Sequence, residues 1–183
     1  GSGQKMTACE NNIMIGSNAG SKITTSGNNI LIGKNAGSNL TVSSGNNIMV
    51  GRNAGGGSSA QGDSIFIGHE SGFGESEHNS NESIFIGNRS GYKNTGDKNT
   101  YIGFLAGGHP NNSITGENNL CIGPYTGYNL TAGERNILIG GGSSLRSTGR
   151  QLNTGSDNTM LGNNTGALLV SGIKNTLLCV NAG

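Results

Sequence analysis

The chain has 183 residues and a net charge of +1, with only 11% charged side chains scattered along its length, so it carries no basic field suited to nucleic acid or an anionic membrane surface. No apolar run approaches the roughly 20 residues that span a bilayer, and nothing at the N-terminus resembles a secretion signal. With 31% hydrophobic residues, 35 glycines and no Trp, the average composition is that of a disordered chain, and only a repeat that concentrates the apolar residues can give it a core.

In chain order, Gly1-Ser2-Gly3 reads as a tag remnant and residues 1–8 as a lead-in. Residues 9–183 read as a single repeat domain, and because both ends fall inside the repeat, as a piece of a longer fibre. The first phrase is Asn12-Ile13-Met14-Ile15-Gly16-Ser17-Asn18-Ala19-Gly20: a polar residue, three apolar residues, a glycine, two variable residues, a small residue and a second glycine. The phrase returns with its first glycine at Gly33, Gly51, Gly68, Gly87, Gly103, Gly123, Gly140 and Gly162, and a tenth time with Cys179 in that slot. Intervals of 16–22 residues exclude an ordinary enzyme domain and predict an all-β fold, a β-solenoid (β-helix or β-roll) of about ten coils.

Each apolar triplet predicts one strand, and the glycine behind it a sharp corner. The structural turn positions are therefore Gly16, Gly33, Gly51, Gly68, Gly87, Gly103, Gly123, Gly140 and Gly162. A second corner follows at Gly20 and its equivalents, with Ser144 the exception in the eighth repeat. A strand has period two, so Ile13 and Ile15 share one face, and this aliphatic pair is expected to line the coil. The residue between them is Met14, Leu31, Met49, Phe66, Phe85, Tyr101, Cys121, Leu138, Met160 and Leu177 in successive copies. That second face never turns polar, so it is expected to be an interface between three chains packed about a common axis, a homotrimer. The alternative is that the second half of each coil folds back over it. The Asn opening most strands predicts an amide ladder up the stack. Weaker second strands are expected around Ile23, Leu40–Val42, Ile114 and Leu130.

The repeated Asn-Asn-Ile-Met-Ile-Gly-Ser-Asn-Ala-Gly motif resembles the glycine-rich repeats of phage and prophage tail fibres and, more distantly, the head repeats of trimeric autotransporter adhesins. The resemblance covers the chain after Ala8. It implies a homotrimeric β-solenoid serving as a structural shaft or a receptor-binding segment of a virion tail fibre, its partners being its own copies and a host cell-surface glycan or protein. The alternatives are the adhesive head of a bacterial surface adhesin and, behind it, a glycan-cleaving tail spike.

Chemistry-bearing residues are sparse, and neither an enzyme activity nor a cofactor is expected. His69, Glu70, Glu75, Glu77, His78 and Glu82 form the densest cluster, and His69, Glu70 and His78 are the candidate metal ligands, though without the spacing of a built site. Glycan cleavage needs two carboxylates about 5–9.5 Å apart; Glu70, Glu82, Asp97, Glu117 and Glu134 are the acids available, and no pair stands out. Phe73, Tyr92, Phe104, Tyr125 and Tyr128 are the aromatics outside the strands. Cys9, Cys121 and Cys179 have no disulfide or zinc spacing, and the last two read as packing residues. Threonine ladders of the ice-binding kind and calcium-binding nonapeptides are missing, and the glycine runs at 55–57 and 140–142 lack the Lys-Ser/Thr of a phosphate loop.

Overall fold

The computed structural model describes residues 1–41, 45–57, 62–74, 80–109 and 111–183. Every strand is three residues long: β1 (Ile13–Ile15), β2 (Ile30–Ile32), β3 (Ile48–Val50), β4 (Ile65–Ile67), β5 (Ile84–Ile86), β6 (Thr100–Ile102), β7 (Leu120–Ile122), β8 (Ile137–Ile139), β9 (Thr159–Leu161) and β10 (Thr176–Leu178). They form one parallel sheet in chain order. Each strand pairs with the next in the same register, as in Ile13 with Ile30 and Met14 with Leu31, so the fold is an all-β solenoid of about nine turns with no helix among the described residues. Coils are numbered below by their strand.

The corners explain why the strands stay so short. Two residues ahead of every strand the backbone is left-handed, at Asn11, Asn28, Asn46, Asp63, Glu82, Lys98, Asn118, Arg135, Asp157 and Lys174. Immediately behind β1 to β9 stands a glycine with φ between 121° and 154°. A β-carbon at Gly33 would also lie against the carbonyl of Gly51 in the next coil, so this slot demands glycine twice over.

The two strand faces are reversed from the sequence expectation. Leu31, Met49, Phe66, Phe85, Tyr101, Cys121, Leu138 and Met160 are fully buried inside the coil, with Met14 and Leu177 packed against them at the ends. They are not outward interface residues. Their cover is the second half of each coil, the alternative fold-back. The lumen is narrow because the second glycine faces the middle strand residue: a β-carbon at Gly72 would strike the Phe66 ring, and one at Gly20 would meet Met14 Sδ at 2.7 Å. Each rung therefore admits one large side chain from the strand. The β-branched pair on either side is turned out. Ile23, Leu40, Ile114, Leu130 and Leu152 close the lumen from the second half, fully buried but not in strands; among the described residues only Asn94 and Ile114 form an isolated parallel bridge there. Val42 lies outside the described residues.

Within the lumen, Phe66, Phe85 and Tyr101 stack face to face at centroid separations of 4.9 and 5.1 Å, close to the rung spacing of a sheet. Beside them runs the amide ladder. Asn29 Nδ2 donates to Asn12 Oδ1 (3.1 Å), Asn47 to Asn29 (3.0 Å), and the series resumes through Asn119, Asn136, Asn158 and Asn175. Ser64 and Ser83 bridge the gap with backbone N–H donors, Ser64 to Asn47 Oδ1 and Ser83 to Ser64 Oγ. Asn29, Asn47, Asn119, Asn136 and Asn158 are buried, and each would cost about 1–3 kcal/mol if left unpaired.

Two assignments shift. In coil 8 the second corner is Gly149 with Thr148 before it, not Ser144 with Ser143: Gly149 has φ 58°, Thr148 is fully buried, and Gly127 N–H donates to the Thr148 carbonyl as Gly107 donates to Thr126. Residues 142–146 are exposed and form an outward insertion. The lead-in is a half-coil. Gly3 N–H donates to the Ala19 carbonyl (3.0 Å), as Gly20 donates to Ala36, and Thr7 N–H donates to Thr24 (2.9 Å). Gly3 thus stands at a second corner beneath coil 1, and residues 1–8 follow the path of the repeat.

Candidate interaction surface

The outward strand positions make a continuous stripe. Of the twenty residues at the first and third strand positions, seventeen are Ile, Leu or Val and three, Thr100, Thr159 and Thr176, are Thr; none is charged. Ten rungs at about 4.8 Å and three residues at about 3.3 Å make this a strip about 45 Å long and 10 Å wide. Ile13, Ile15, Ile67, Ile137, Leu161 and Leu178 are 37–59% exposed, Thr176 is exposed as well, and the rest of the stripe is half-buried by its own neighbours. This surface escaped the sequence reading because all three strand positions are apolar. The signal available was shape: the outer pair is mostly β-branched, while the middle position ranges from Cys to Tyr as the lumen requires.

Behind the first glycine a second column crosses the corner. Asn18 Nδ2 donates to Asn35 Oδ1 (3.3 Å) and Asn35 to Asn53 (3.0 Å), all three with left-handed backbone. Asn and Asp tolerate that conformation best. Further along, Glu70, Arg89, Leu105 and Tyr125 take the same left-handed position. There Arg89 Nε donates to Glu70 Oε2 (2.7 Å), and His69 Nε2 lies 3.1 Å from Glu70 Oε1 while also facing the Arg52 guanidinium. Partial burial pushes the Glu70 carboxyl up, but the hydrogen bond from Arg89 and the charges of His69, Arg89 and Arg52 outweigh it and hold it below the usual carboxylate range. His69 and Glu70, two of the candidate metal ligands, are thus committed to cationic neighbours. His78, with Glu75 and Glu77, lies outside the described residues, and no group of three metal-ligating side chains occurs among the described ones.

The aromatics outside the strands collect on this same flank. Phe73 stacks with Tyr92 (5.8 Å), Arg89 sits over the Tyr92 ring (5.5 Å), and Phe104, Tyr125, Tyr128 and His109 make successive edge or tilted contacts at 5.0–5.9 Å. Phe104 is 42% exposed. His109, absent from the sequence candidates, is held below the usual histidine range by burial first and by Arg150 and Lys93 second.

On the opposite side of the ladder, Asn118, Arg135 and Asp157 donate their N–H groups to the carbonyls of Asp97, Glu117 and Glu134. That places three of the candidate acids in one column on neighbouring coils. Glu82 stands in the adjacent column and Glu70 on the other flank. Arg135 binds Glu134 of that column (2.6 Å) and Asp157 of the adjacent one (2.7 Å). The Asp157 carboxyl is held low by the Arg135 hydrogen bond. A separate cavity of about 350 Å³ lies between the coil 8 insertion and coils 9 and 10, lined by Leu145, Arg146, Asn164, Ala167, Leu168 and Asn181. Cys121 is buried and reduced in the lumen, Cys9 partly exposed with Sγ directed at the Thr24 carbonyl, and Cys179 exposed.

Compared with protein-family models, with curated proteins and with solved structures, the chain matches none of them.

Proposed function

We propose that the chain is a segment of a fibrous appendage, a shaft or receptor-binding length of a phage tail fibre, in which three copies pack about a common axis through the outer aliphatic face of the sheet. The observation that carries this reading is the uncharged stripe of seventeen aliphatic residues, continuous over all ten rungs. A dry flank that runs over every rung of the sheet is a side suited to burial against its own copies. Such a stripe is self-complementary because every rung presents nearly the same pair of side chains.

Light scattering over a range of concentrations tests it. A stable mass of three times 18.5 kDa is expected, and a monomer at every concentration overturns the trimer. Ile67→Asp places a charge on the stripe outside the lumen and should dissociate the assembly while each chain keeps its circular dichroism. Phe66→Asp, one residue earlier but inside the lumen, should unfold the chain instead.

The receptor-binding version of this function draws on the aromatic flank, where Phe104, Tyr125 and Tyr128 present ring faces and hydroxyls at the surface, an arrangement suited to sugar rings. Specific binding to intact host cells that is lost on Phe104→Ala with Tyr125→Ala would establish it. Binding that survives both leaves the flank without that role. An adhesive head on a bacterial surface would use the same stripe and flank, and the origin of the cells bound would separate the two.

A further inference from the structure

The two corners that border the aliphatic stripe differ in charge. Seven of the chain's ten acids stand two or three residues ahead of a strand, Asp63, Glu82, Glu117 and Asp157 among them, and three bases, Lys98, Arg135 and Lys174, share that leading rim. The trailing rim, the two residues behind each corner glycine, carries Lys34, Arg52 and Arg89 against one acid among the described residues, Glu70, which Arg89 already binds (2.7 Å). A net charge of +1 hides this separation. It is clearest in coils 3 to 5, which stack in strict register: Asp63 and Glu82 on the leading rim stand level with Arg52, His69 and Arg89 on the trailing one. Asp63, Glu82, Arg52 and Arg89 are all exposed.

Two such stripes can meet face to face in only two ways. With the rods parallel, the copies are related by an axis along the rods, and the leading rim of one lies against the trailing rim of the next at the same height. With the rods antiparallel, the two-fold axis runs across them, so leading meets leading and trailing meets trailing. An arrangement that reverses the rods and still joins unlike rims needs an inversion, which a chain of L-residues cannot undergo.

We infer that the charged rims orient the assembly: the stripe takes a second copy of this chain running parallel to the first, with the acidic leading rim of one copy against the basic trailing rim of the next. This rests on the reading of the stripe as a face between copies. The aliphatic residues repeat so evenly along the rod that they favour neither direction, whereas the rims attract in one and repel in the other. Each copy then uses both rims, one for each neighbour, as a closed ring of copies requires.

Sedimentation equilibrium of the 183-residue chain tests this, with wild type, the leading-rim variant Asp63→Lys/Glu82→Lys, the trailing-rim variant Arg52→Glu/Arg89→Glu, and all four changes together. The left-handed slots accept either charge, since Lys98 and Lys174 occupy the leading one and Glu70 the trailing one. Circular dichroism should therefore match wild type throughout. At about 0.1 M salt each two-residue variant should dissociate at a concentration about tenfold higher than wild type, and the four-residue variant should return towards wild type. At about 1 M salt, where charges are screened beyond about 3 Å, the differences should vanish. An antiparallel assembly predicts no loss in either two-residue variant, because like rims stay like when both are reversed. A wild type that assembles while both two-residue variants assemble equally well overturns the orientation and leaves the stripe's role standing, as does a four-residue variant weaker than either half. A wild type that stays monomeric overturns both.

Discussion

At the scale of single residues, the lumen leaves so little room that each buried polar atom counts. Tyr101 is fully buried in the aromatic stack, and its Oη reaches no hydrogen-bond partner. Burial first, and the neighbouring Cys121 second, push its pKa well above the ordinary value of 10.0. Burial likewise pushes the Cys121 thiol far above its ordinary 9.0. Both groups are neutral when protonated, and the folded chain holds those protons more tightly than the unfolded chain does. Their linkage is therefore a loss of stability with rising pH, starting near the unfolded thiol value at about pH 9 and absent below it. Denaturant titrations at a series of alkaline pH values should show that decline in wild type and a flatter curve in Tyr101→Phe/Cys121→Val. At neutral pH, Tyr101→Phe removes an unsatisfied buried hydroxyl and should raise the unfolding free energy by about 1 kcal/mol. A drop of that size would mean the hydroxyl has a partner after all.

At the scale of one coil, the recurring unit is a three-residue strand held between corners, and the corners set the register. Coil 8 is the informative case, because the sequence offers Ser143-Ser144 at the regular spacing while the chain uses Thr148-Gly149. A β-carbon at Gly149 would meet Leu138 Cδ1 at 2.8 Å, on backbone that is already left-handed. Gly149→Ala should therefore cost about 1–3 kcal/mol of stability, and Ser144→Ala, on the exposed insertion, close to nothing. Equal costs in thermal or chemical denaturation would return the corner to Ser144. The reason this was not legible beforehand is that an insertion shifts spacing without altering the local pattern. Thr and Ser fill the small slot in several other coils, as Ser71, Ser90, Thr126 and Thr165 do, so Ser143 looked acceptable there.

At the scale of the molecule, every strand touches only the strands before and after it. Stability is then close to a sum of coil terms and nearest-neighbour interfaces, with no single long-range contact holding the whole. The end coils lack one neighbour each, and Ile13, Ile15 and Leu178 are correspondingly more exposed than their counterparts in coils 2 and 3. Native-state hydrogen exchange should show the strand amides of β1 and β10 opening at the lowest free energy and those of β4 to β6 at the highest, where the Phe66–Phe85–Tyr101 stack fills the lumen. Uniform protection along all ten strands would mean the rod unfolds as one cooperative unit.

The repeat by itself determined a great deal: one strand per 16–22 residues, a parallel stack, glycine at the corners, and amides laddered beside the sheet. These follow from local chemistry, in which a triplet of apolar residues wants to be extended and the following glycine lets the chain turn. Period two also divided each strand correctly into a middle residue and a flanking pair. Which of the two faces inward was beyond it, because both are apolar and inward is defined only once the second half of the coil closes over the sheet. The tertiary structure decided that through room: a lumen narrowed by the second glycine and a small residue accepts one large side chain per rung. The β-branched pairs are left outside as the stripe on which the proposed assembly rests.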